Sequence, residues 1–136
     1  MVEAQNHLPE LEGKIQILVV EDDPSIRTVF SALLEAEGYS VQTSENGQVA
    51  LDLLKTGFRP DLILLDLMMP VMSGWELLRA KRNDPAITGI PVVVLSASTM
   101  VSGNLDGASA VYAKPIDIDF LLARLKEMTT DGRGVL

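Results

Sequence analysis

At 136 residues the chain has room for one ordinary domain around a single core and none for a second. Its 11 basic and 19 acidic residues give a formal net charge of −8, and no basic cluster longer than Lys81-Arg82 interrupts the acidity, which argues against direct nucleic-acid binding. Zero cysteines exclude disulfides, thiolate metal sites and cysteine nucleophiles, and with no signal-peptide pattern or membrane-length apolar run the expectation is a cytoplasmic chain without membrane insertion.

Met1 to Gly13 is polar and is expected to be a flexible N-terminal extension (1–13), leaving 14–130 as the folded unit and 131–136 as a short tail. Ile15 to Val20 is an apolar run that ends in Glu21-Asp22-Asp23. Asp23 followed by Pro24 predicts a helix start, and Ile26, Val29, Phe30, Leu33 and Leu34 line one face up to Gly38. Tyr39 to Thr43 alternates as a short strand, and Asn46-Gly47 is expected to turn the chain. Val49, Ala50, Leu53 and Leu54 form a second helical stripe that stops near Gly57. Leu62 to Leu65 predicts a buried strand closed by Asp66, with a third helix after Gly74, from about Trp75 to Arg82. Pro91 to Leu95 is a buried strand ending at Ser96, and Val111 to Ala113 is a short one ending at Lys114. The last helix carries Ile118, Leu121, Leu122, Leu125 and Met128 on one side. Strands alternating with helices imply an α/β, doubly wound, five-stranded parallel sheet with flanking helices.

Two of these strands end in acid. In a parallel sheet the carboxyl ends of neighbouring strands share one edge, where open α/β folds bind ligands, so Glu21, Asp22 and Asp66 should converge. Carboxylates about 4 Å apart repel by roughly 4 kcal/mol at an effective dielectric of about 20, so the group calls for a cation. Mg2+ suits it, being hard and oxygen-seeking and content with one or two protein carboxylates beside a phosphate.

Five motifs in order carry a resemblance: Val19-Val20-Glu21-Asp22-Asp23-Pro24, Leu65-Asp66-Leu67-Met68-Met69-Pro70, Gly74, Leu95-Ser96-Ala97 and Ala113-Lys114-Pro115. From about Lys14 to Met128 the chain resembles the receiver domain of two-component response regulators, of the single-domain, chemotaxis-regulator-like kind. The resemblance implies a flavodoxin-like sheet of order 2-1-3-4-5. It implies that Asp66 accepts a phosphoryl group from a sensor histidine kinase or a histidine phosphotransfer protein. Asp22, Asp66 and the backbone carbonyl of Met68 would ligate Mg2+, and Glu21 would act through water. Ser96 and Lys114 would serve catalysis and the switch, and Pro70, Gly74 and Pro115 are structural. The chain would signal by contact with a downstream protein target, as a phosphoacceptor rather than a turnover enzyme. With few residues after the last helix, no fused output domain is expected.

Simpler roles stand beside these. Asp66 or Asp22 could cap a turn, Asp23 is read as a helix cap outside the site, and Ser96 could bond the backbone beyond its strand. Lys114 taken alone could be a solvated lysine; Pro115 after it admits a cis bond in a small minority of cases, and the resemblance favours one. Met68, Met69 and Met72 are expected in loop and core packing, Trp75 at a helix start, and His7 has no assigned role. Three features depart from the family pattern. Val111 stands three residues before the lysine, where an aromatic is usual, with Tyr112 facing the other way. The 96–114 stretch is about one helical turn short, with Ser102, Gly103, Asn104 and Gly107 as poor helix formers, so the helix between the fourth and fifth strands should be shortened or absent. Met68 and Ser98 hold the two places that tune dephosphorylation, and an apolar Met68 implies a long-lived phosphoryl group. A haloacid-dehalogenase-like phosphatase would want an aspartate where Met68 stands. The remaining alternative is a phosphorylation-independent interaction module, a pseudo-receiver, motivated by Val111 and the short segment.

Overall fold

The computed structural model describes residues 13–97 and 105–130. In chain order these form β1 (Gln16–Val20), α1 (Pro24–Ala36), β2 (Ser40–Ser44), α2 (Gly47–Lys55), β3 (Leu62–Asp66), α3 (Gly74–Arg82), β4 (Val92–Ser96), β5 (Ala110–Ala113) and α4 (Ile118–Thr130). All neighbouring strands pair in parallel, in the order β2-β1-β3-β4-β5 that the resemblance implied.

The central strands β3 and β4 are buried at every position, because helices cover both faces of a parallel sheet. Side chains alternate between those faces. Leu18, Val20, Ile63, Leu65, Val92 and Val94 pack against α2 and α3 through Ala50, Leu54, Leu77 and Leu78. Ile17, Val19, Leu62, Leu64, Val93 and Leu95 pack on the other side, against Phe30 and Leu34 of α1 and Leu121 and Leu125 of α4. The result is three layers with two cores, each able to contribute roughly 1.5–3 kcal/mol per large apolar side chain removed from water.

Local chemistry sets the helix ends. The Asp23 carboxylate accepts from the amides of Ser25 and Ile26, with Pro24 at the first helical position. The Asn46-Gly47 pair is not the turn expected of it. Asn46 is extended and caps α2 through Val49 N–H, and Gly47 is the first helical residue. Gly47 donates to the Met72 carbonyl at 2.9 Å, and a Cβ there would lie 2.7 Å from that oxygen, so the close approach demands glycine. Ser73 and Glu76 form a reciprocal capping box at the start of α3. Gly74 is pressed against the end of β3, where a Cβ would meet the Asp66 carbonyl at 2.6 Å.

Between β4 and β5, residues 105–109 form a turn anchored by Arg82, which donates to the Asp106 carbonyl at 2.8 Å. The expected shortening of a helix in this connection falls chiefly on 98–104, which lie outside the described residues, as do Ser98 and the N-terminal extension with His7. No helix among the described residues is long and apolar enough to cross a membrane.

Candidate functional site

Register does most of the work of assembling the site. Val20 lies opposite Leu65, so one residue further along Glu21 comes level with Asp66. Asp66 pairs with Leu95, which puts Ser96 one step beyond it on β4, and Ser96 pairs with Ala113. Lys114 N–H then donates to the Ser96 carbonyl at 2.7 Å, starting the lysine at the same edge. Four strands thus deliver Glu21, Asp66, Ser96 and Lys114 to one place, and the β1–α1 junction adds Asp22.

One carboxylate oxygen from each of Glu21, Asp22 and Asp66 lies within 4.8 Å of the others. The Lys114 ammonium reaches into the group, 3.2 Å from Glu21 Oε1 and 3.4 Å from Asp66 Oδ1. Glu21 and Asp66 are buried, whereas Asp22 is exposed and its carboxylate meets no hydrogen-bond donor among the described residues. The other oxygen of Glu21 accepts from the Asp23 amide at 3.1 Å, and the Met68 amide donates to the Asp66 carboxylate.

Burial raises the Asp66 carboxyl above its ordinary value, against the pull of Lys114 and the Met68 amide and with the help of the Asp22 charge. Burial raises Glu21 too, with Asp66 adding to it. For Lys114 burial pulls the other way, but the paired charges of Asp66 and Glu21 outweigh it and hold the ammonium above its ordinary range. The pocket therefore carries more negative charge than its own lysine offsets. A donor set of three hard oxygens with an unbonded Asp22 fits Mg2+.

Around this core, Pro70 accepts from the Met72 amide at 2.8 Å across Val71, whose φ of 69° is strained for a β-branched residue. The Lys114–Pro115 peptide is cis. Met69, Met72 and Trp75 pack against the core as expected, but Met68 does not; it is 65% exposed beside the pocket because it leaves the sheet directly after the last buried residue, Leu67. Val111 is exposed, while Tyr112 packs beneath α4 with its ring edge-on to Phe120 at 5.3 Å. The sequence reading passed over Arg27, whose Nη1 donates to the carbonyls of Glu21 at 2.8 Å and Asp22 at 3.3 Å. A signal was available: a cation in the first turn of a helix opposes the helix dipole and calls for another partner.

Fold and site together define a receiver module. The sequence matches the family described as "Response regulator receiver domain" over residues 17–126, and the chain belongs to that family. It is 40% identical over 131 residues to the response regulator MprA of Mycolicibacterium vanbaalenii, covering 88% of this chain and 54% of the relative. It is 34% identical to the "DNA-binding dual master transcriptional regulator RpaA" of Synechocystis, covering 83% and 48%. The chain therefore spans about half the length of these relatives. Among solved structures, the receiver domain of a Syntrophus aciditrophicus signal transduction histidine kinase superposes with a TM-score of 0.75 at 32% identity, covering 88% and 91%. The Thermotoga maritima response regulator TrrA, solved in complex with Mg(2+)-BeF, gives 0.75 at 31%, covering 84% and 98%. Members of this family are signalling phosphoacceptors that bind Mg2+ at an acidic pocket.

Proposed function

We propose that this chain is an active Mg2+-dependent phosphoacceptor, with Asp66 as the residue that takes the phosphoryl group. The observation that carries the reading is the cluster itself, three carboxylates within 4.8 Å of one another with Lys114 bridging Glu21 and Asp66. Asp22, Asp66 and the Met68 carbonyl would hold the cation, with Glu21 acting through water. Bound Mg2+ supplies positive charge to the phosphoryl oxygens. An Asp66 carboxylate oxygen attacks the phosphorus of a phosphohistidine. The P–N bond breaks, its electron pair returns to the imidazole, and an acyl phosphate forms. Lys114 neutralises developing charge and Ser96 donates to a phosphoryl oxygen. The transfer is stoichiometric, with no turnover on an external substrate.

The donor would be a sensor histidine kinase or a histidine phosphotransfer protein in the cytoplasm, and the output a protein contact made by the unit 14–130. The whole chain's net charge of −8 disfavours nucleic-acid binding by the chain itself. The second reading, a phosphorylation-independent module, is favoured by exposed Val111 in the place of the usual aromatic. Intact-mass spectrometry of the wild type and Asp66→Asn with acetyl phosphate, with and without Mg2+, separates the two. A Mg2+-dependent phosphoryl adduct on the wild type alone is expected. No adduct, from acetyl phosphate or from a phosphorylated kinase, would leave the interaction module as the better account.

A further inference from the structure

The β1–α1 junction holds its acids unequally. Glu21 is fixed through its amide, which donates to the Ser44 carbonyl at 3.0 Å, and through both carboxylate oxygens, which accept from Asp23 N–H and Lys114. Asp22 has no such restraint. Its carboxylate is exposed and meets no donor among the described residues, so the backbone that carries it is what fixes where its side chain starts relative to Glu21 and Asp66. The carbonyls of that backbone, at Glu21 and Asp22, are both gripped by one side chain. The Arg27 guanidinium folds back from the first turn of α1 and donates from Nη1 to the carbonyls of Glu21 and Asp22 at 2.8 and 3.3 Å. The placement works against the helix dipole, so its compensation lies in these two bonds. A guanidinium makes directional, charge-assisted hydrogen bonds that fix the groups it meets.

We propose that Arg27 is a positioning residue for the cation site: by clamping the carbonyls of Glu21 and Asp22 it keeps the Asp22 carboxylate aimed into the cluster with Glu21 and Asp66. The inference rests on the Mg2+-dependent reading of that cluster. It differs in sign from the simple electrostatic role of a nearby cation. Removing a positive charge close to an acidic group, with nothing else changed, tightens Mg2+ binding. Removing a clamp loosens it.

The test is calorimetric titration of MgCl2 into the whole chain as wild type, Arg27→Met and Arg27→Lys, with thermal unfolding of each and adduct formation from acetyl phosphate across Mg2+ concentrations. Positioning predicts about 10-fold weaker Mg2+ binding in Arg27→Met, typical of losing an outer partner of a metal ligand. The half-saturating Mg2+ for adduct formation should rise in step, with the rate at saturating Mg2+ near wild type and partial recovery in Arg27→Lys. Should Arg27→Met fail to fold, Arg27→Lys carries the test alone, with weaker Mg2+ binding at unchanged Tm expected. Unchanged or tighter binding in a folded variant overturns the inference and leaves the phosphoacceptor reading standing. A wild type that binds no Mg2+ overturns both.

Discussion

A half-buried lysine and a buried one, at different places in the fold, show what separates a lysine held by opposite charge from one merely tolerated. Lys114, at the carboxyl edge of the sheet, keeps 23% of its side chain exposed and meets two carboxylates, Glu21 and Asp66. Lys81, at the C-terminal end of α3, is only 3% exposed and donates to a single carbonyl, that of Thr88, at 2.9 Å. Burial depresses Lys81, with no paired carboxylate among the described residues to resist it, whereas the paired acids lift Lys114. The more buried lysine is the less consequential one. What marks Lys114 is the excess of opposite charge that two strand ends, those of β1 and β3, bring to it, whereas Lys81 has the Thr88 carbonyl and the negative end of its own helix.

Replacing each lysine should therefore have different consequences. Lys114→Gln should slow adduct formation from acetyl phosphate by about 100-fold, the cost of removing one preorganised charge from a transferring group, read by intact mass over time. Without Mg2+ it should also lose on the order of 2 kcal/mol of stability, less than a fully buried broken pair because solvent reaches the site. Added Mg2+ should return part of that stability by binding the folded state. A variant phosphorylated at the wild-type rate would remove Lys114 from the chemistry.

Lys81→Met keeps the aliphatic stem and discards a desolvated charge, so urea denaturation at pH 7 should show a gain of up to about 1 kcal/mol, with adduct formation unchanged. The Thr88 carbonyl left behind belongs to an exposed residue and can turn to water. The pH dependence fixes the sign. A lysine whose folded value lies below 10.5 costs stability while both states are protonated. As pH rises from that lowered value toward 10.5, the folded state releases its proton first, and the wild type gains relative to the unfolded chain. The advantage of Lys81→Met should thus shrink on the alkaline side. For Lys114 the raised value works in reverse, with its contribution intact up to 10.5 and lost only above it. A loss of 2 kcal/mol or more in Lys81→Met would make the Thr88 bond a necessary staple and undo the contrast.

The same pair shows how far the sequence could be read. Lys114 was visible because it closes a strand and precedes Pro115, and the acids were visible because each ends an apolar run; a parallel sheet does the rest. The parallel sheet followed from alternation, and its strand order from the resemblance. Lys81 was counted only as half of a short basic cluster, although it follows Leu77 by four residues and Leu78 by three, which puts it on the buried face of α3. Arg27 was missed because its partners are carbonyls, which leave no trace in side-chain patterns; its place against the helix dipole signalled that it needs a partner but not which one. Asn46-Gly47 was read as a turn ahead of the helix because Asn and Gly suit a turn and a helix start alike; here Asn46 is the cap and Gly47 already helical, pressed against Met72.

A neutral group extends the contrast to its smallest effect. Ser44 ends β2 beside Glu21, buried at 3% exposure, and its Oγ has no hydrogen-bond partner among the described residues, although its carbonyl receives the Glu21 amide. An unsatisfied buried hydroxyl costs stability, and removing it exchanges that cost for a very small void. Ser44→Ala should leave the strand pairing and the Glu21 contact intact, because those use the backbone. The expected gain is about 0.5–1 kcal/mol in urea denaturation, with Mg2+ binding and adduct formation unaltered. A loss of stability together with weaker Mg2+ binding would mean that the hydroxyl holds Glu21 in place. Ser44 would then join Arg27 among the residues that position the acids from outside the charged cluster.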